Sequence, residues 1–158
     1  MDTVVGDSWM RLHRLRVLLL FALLSGIFGT GAELLLLEHT EGWQQLAPIT
    51  LLALAVPVVL WHAIAPQGAA RSAVLALMGI FIVSGILGVG LHYQGNAAFE
   101  LEMYPEMSGL ELFVKIVKGA TPVLAPGTMV LLGLVGMAYG YVSSLGPVSA
   151  TEPQEARR

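Results

Sequence analysis

Glu33 and His92 are the side chains with the strongest claim to chemistry, because each falls within or at the end of a long apolar run. A carboxylate inside such a run costs roughly 3 kcal/mol on insertion scales, so it is expected to face a partner or a wet cavity. Joined to an imidazole, it could relay protons or ligate a metal; joined to nothing further, the pair is structural glue. His39, Glu38, Glu41, Glu100 and Glu102 flank the same ends of these runs and could gather with them at one mouth. Imidazole and carboxylate donors without thiolate suit zinc, manganese or non-haem iron. No H-x-x-x-H or E-x-x-H spacing is present, and a solvated acidic rim explains the carboxylates more simply. Glu33, His39 and His92 are therefore only weak metal candidates, and no cofactor is predicted. His62, beside Trp61, reads as an interface anchor and not as a haem ligand.

Both residues follow copies of one motif. Leu23–Gly31 and Ile82–Gly90 each read x-x-Ser-Gly-Ile-x-Gly-x-Gly, 59 positions apart. Spacings of three and four place Gly26, Gly29 and Glu33 on one helix face, and Gly85, Gly88 and His92 on the equivalent face of another. Small residues mark close helix approach in membranes, so the two helices are expected to cross there. Glu33 would then face His92 about one turn below the surface. A second match, Leu46-Ala-Pro-Ile-Thr50 with Leu124-Ala-Pro-Gly-Thr128, suggests a tandem duplication of a two-helix hairpin. The copies would be related by a pseudo-two-fold axis along the membrane normal.

The elements that carry these residues follow from hydropathy. Only 12% of residues are charged and the mean hydropathy is +0.75, against about 25% charged in soluble domains. The expected fold is an all-α, four-transmembrane-helix bundle with spans at about 17–37, 46–64, 73–91 and 123–142. Residues 1–16 form a polar N-terminal segment with a basic end, and 143–158 a polar tail. Pro48 is placed in the first turn of the second span, and Pro57 should kink it. Phe99–Tyr104 alternates apolar and polar and reads as extended. Ser108 and Glu111 spell a capping box opening an amphipathic helix at about 108–118, with Gly119 as its stop.

Lysine and arginine counts set the topology. With the N-terminus inside, Arg11, Arg14, Arg16, Arg71, Arg157 and Arg158 lie inside, and only Lys115 and Lys118 outside. Both termini are thus expected to be cytoplasmic, with an acidic outer face. A net charge of −3 gives no reason to expect a nucleic-acid partner. The absence of cysteine excludes disulfides, thiolate metal sites and cysteine nucleophiles. No Ser-His-Asp order or phosphate-binding glycine loop appears, so an enzyme is not favoured.

The stretches Ala32–His39, Leu91–Asn96, Phe99–Pro105 and Thr121–Gly127 resemble those of small bacterial inner-membrane proteins of unassigned function. The resemblance implies a multi-pass bacterial inner (plasma) membrane protein and brings no activity, cofactor or substrate. Size, close-packing glycines and the lack of catalytic motifs point first to an accessory or assembly subunit of a larger membrane complex. Its partners would be the lipid bilayer and other membrane subunits, or further copies of itself. A small ion- or proton-coupled transporter using Glu33 and His92 is the alternative, and a metal-dependent enzyme at the outer mouth the second.

Overall fold

The structure is a computed structural model that describes residues 2–145, with side chains from residue 6 onward. Five helices follow in order: α1 (Asp2–Leu36), α2 (Trp43–Ile64), α3 (Gly68–Met103), α4 (Gly109–Val117) and α5 (Gly127–Val142). No strand occurs among the described residues. Helices α1, α2 and α3 are each long and apolar enough to cross a membrane, and α5 is a shorter apolar helix of 16 residues.

The main helix pairs are α1 with α2 and α5, and α3 with α2 and α5, while α4 packs on α3. The four longer helices therefore form a ring in the order α1, α2, α3, α5, with α1 and α3 on its diagonal. Core residues recur at helical spacing: Leu23 and Ile27; Leu52, Ala55 and Val59; Val74, Leu77, Met78 and Phe81; Met129, Leu132 and Tyr139. Outward faces are equally apolar. Phe21, Phe28, Ile64, Leu87 and Leu131 are all exposed, an apolar surface of the kind that suits lipid better than water.

The expected crossing of the first and third spans is corrected by α5, which takes the place beside both glycine faces. A methyl group built on Gly26 would strike Leu132, one on Gly85 would lie 2.8 Å from the Val130 backbone nitrogen, and one on Gly88 2.7 Å from Pro126 Cβ. Gly29 turns outward, with nothing near it. Glycines of α5 close in on α3 as well, with Gly133, Gly136 and Gly140 against Ile82, Met78 and Leu75.

Local differences have local causes. Phe99–Met103 is helical, not extended, because α3 continues unbroken from Gly68. Ser108 is the residue before α4 and is extended, but its side chain makes no capping hydrogen bond, so the expected capping box does not form. Helix α2 starts at Trp43, which places Pro48 beyond the first turn, and the helix carries on through Pro57. Before α5, i→i+3 bonds from Ala125, Gly127, Thr128 and Met129 coil the chain forward from Pro122. The apolar run expected at 123–142 is thus wound throughout, although α5 proper begins at Gly127.

Helix α1 ends in a Schellman turn without glycine. Glu38 N–H donates to Leu35 O at 3.1 Å and His39 N–H to Leu34 O at 3.0 Å, with Glu38 left-handed at φ 51°. That conformation costs a non-glycine residue about 1 kcal/mol. It sends the chain sharply back over the helix end and fixes where His39 lies.

Candidate functional site

The expected Glu33–His92 pair is not formed. Glu33 is exposed on α1, and its carboxylate has no hydrogen bond or ion pair with a described residue. His92 is partly buried and directs Nδ1 at the carbonyl oxygen of Pro122, 2.9 Å away. A carbonyl only accepts, so Nδ1 carries a proton in this bond. The bond ties α3 to the turn leading into α5, which is a structural role.

His39 is the residue that does come near His92. Partial burial in the Schellman turn lowers its pKa below 6.5, and the nearby imidazole of His92 lowers it further. Its neutral form is therefore favoured in the folded chain. The unfolded chain takes up the proton near pH 6.5 while the folded chain does so only at lower pH. Stability should thus fall as pH drops below 6.5 and level off once the folded ring is also charged. Thermal unfolding of His39→Gln in mild detergent should lose this acid dependence, and an unchanged slope would show that His39 does not contribute.

Glu100 is partly buried near the end of α3, and Glu102 is exposed. Among the described residues no three His, Asp or Glu side chains converge closely enough to hold a metal ion. The mouth is organised by an amide instead. Asn96 is buried; its Nδ2 donates to Ile116 O at 2.9 Å and Thr121 O at 2.7 Å, and its Oδ1 accepts from Thr121 N–H at 3.3 Å. One side chain on α3 thereby holds both the end of α4 and the following turn. Helix α4 buries only Ile116, leaving Leu110, Phe113, Val114 and Val117 exposed as one apolar face.

A second polar cluster lies at the opposite end of the bundle, and sequence reasoning missed it. His62, in the last turn of α2, and Tyr139, near the end of α5, are both fully buried. Their rings meet edge to face, with centroids 5.2 Å apart at 88°. Both ring nitrogens of His62, the Tyr139 hydroxyl and Arg71 Nε are buried without a hydrogen-bond partner among the described residues. Arg16 reaches over from α1 and donates to Ala63 O at 2.9 Å. Its guanidinium and that of Arg71 both act electrostatically on the His62 ring. Orphaned buried polar atoms cost about 1–3 kcal/mol each, so four in one place are conspicuous. The usable sequence signal was a histidine and two arginines at the ends of three consecutive apolar runs, one residue per helix.

No family model, curated protein or solved structure matches this chain.

Proposed function

We propose that the chain is a four-span integral membrane protein that serves as an accessory or assembly subunit of a larger membrane complex. The outward face of α1 carries this reading. Ala22, Ser25, Gly29 and Glu33 are all exposed along it, and a side chain added at Gly29 would meet nothing. Such a stripe lets a second helix approach closely, and a carboxylate at its end needs a donor that lipid cannot supply. The occupant that fits is a partner membrane helix of small residues with a hydrogen-bond donor opposite Glu33.

Helix α5, with the coiled turn before it, is the fourth span in this reading. The ring order supports the duplicated hairpin. Exchanging α1 with α3 and α2 with α5 leaves the pattern of neighbours unchanged, as a pseudo-two-fold axis requires. The lysine and arginine distribution favours cytoplasmic termini in a bacterial inner membrane.

Blue-native electrophoresis of gently solubilised native membranes tests the proposal. The wild-type chain should migrate with other subunits, and Gly29→Leu and Glu33→Gln should each release it as a free species. Small-residue contacts and membrane hydrogen bonds are worth about 1 kcal/mol each, so the two changes combined should dissociate it more fully than either. A wild-type chain that runs solely as a monomer or homo-oligomer overturns the reading.

A further inference from the structure

The cluster of Arg16, His62, Arg71 and Tyr139 draws one side chain from each of the four longer helices to one end of the bundle. Neither guanidinium has a carboxylate partner among the described residues. Two like charges therefore lie near a buried imidazole, with nothing of opposite sign paired to them among the described residues. Both arginines are only partly buried, so neither side chain is sealed inside the bundle. Arg16 spends one N–H on Ala63 O, while Arg71 Nε, buried and unpartnered, has its donor still to place.

The site follows the ends of the apolar runs, where lipid phosphates lie. Arg16 immediately precedes the run that opens at Val17, and His62 is two residues from the end of α2. Guanidinium forks match phosphate oxygens, which only accept, and the imidazole adds a third donor. We propose that this cluster is a phosphate-binding site, with Arg16 and Arg71 clamping the anion and His62 donating from the bundle side. Tyr139 positions the imidazole through the edge-to-face contact and does not touch the anion. The phosphate could belong to an anionic lipid headgroup or to a soluble phosphate, and both satisfy the same donors.

The full chain in a neutral maltoside detergent provides the test. Phosphatidylglycerol, phosphatidylcholine and inorganic phosphate are each titrated, the last against chloride at equal ionic strength. Melting temperature and retained mass in native mass spectrometry are read together. Phosphatidylglycerol should raise the melting temperature and stay bound where phosphatidylcholine does not. If inorganic phosphate alone gives the same shift, the ligand is a soluble phosphate; if only the lipid does, it is the headgroup. Arg71→Gln should weaken binding roughly tenfold, as expected for a lost charge-assisted bond. Arg16→Gln serves as the second variant should the first fold poorly. Arg14→Gln, an exposed arginine on the same face of the membrane region, should have little effect. No shift with either phosphate source overturns the site. So does an equal loss in Arg14→Gln and Arg71→Gln, which would mean surface attraction alone.

Discussion

Gly133→Leu is expected to open the seam between α3 and α5 and to destabilise the bundle by about 3 kcal/mol, the upper range for overpacking. A Cβ at this position would lie 2.6 Å from Ile82 Cγ1, 2.7 Å from the carbonyl oxygen of Met78 and 3.2 Å from Ile82 N. The first of these contacts can be relieved by a rotamer change. The other two are backbone atoms in the middle of α3, and only separation of the helices relieves them. Separation would also loosen Met78 and Phe81, both fully buried, and the dispersion lost grows with every contact that opens. Gly90→Ala supplies the contrast, since nothing lies within reach of a methyl group there. Alanine is the better helix former by up to about 1 kcal/mol, so that change should be neutral or stabilising. Denaturant or thermal unfolding in mild detergent reads both. Equal stability of the two variants would mean that α3 and α5 do not pack through Gly133.

That contrast marks how far the sequence could be read. The long apolar runs predict α1, α2 and α3 because hydropathy is a property of each run alone. Helix α4 was equally legible, since Leu110, Phe113, Val114 and Val117 repeat at helical spacing. The glycine motifs also pointed to close approach, and Gly26, Gly85 and Gly88 do sit against neighbours. They could not say which neighbour. Spacing places a small residue on a face, but which helix arrives there depends on the ring order, and α5 arrived. The run Gly133, Gly136 and Gly140 has the same spacing and lines the α3–α5 seam from the α5 side. Residues 99–103 were misread because their alternation is short, and the continuation of α3 overrides it. The arginine and histidine cluster was missed for a different reason. His62 and Arg71 flank the short turn between α2 and α3, but Arg16 and Tyr139 lie far from them in sequence and join them only when the four helices pack.

Asn96→Ala should detach the α4 end of the protein while leaving the four longer helices in place. The amide makes three hydrogen bonds, two to carbonyls and one from an N–H. Its loss strands those partners, at roughly 1 kcal/mol or more for each. A destabilisation of about 3 kcal/mol is expected in the segment from α4 to Thr121. Little else holds α4 down, because Ile116 is its one buried residue, so the loss should appear as local opening and not as global unfolding. Gly119 reinforces the point, since a Cβ there would lie 2.6 Å from the Asn96 amide; the loop is shaped around that side chain. Asn96→Asp should be worse than Asn96→Ala. It keeps the acceptor for Thr121 N–H but turns a carboxylate oxygen toward the carbonyls of Ile116 and Thr121, where two donors had been. Amide hydrogen exchange across residues 109–121 separates the cases. Protection should fall for alanine and further for aspartate, with α3 and α5 unchanged near Gly85 and Gly133. Full protection in the alanine variant would show that lipid contact with the exposed face of α4, and not Asn96, holds this helix in place.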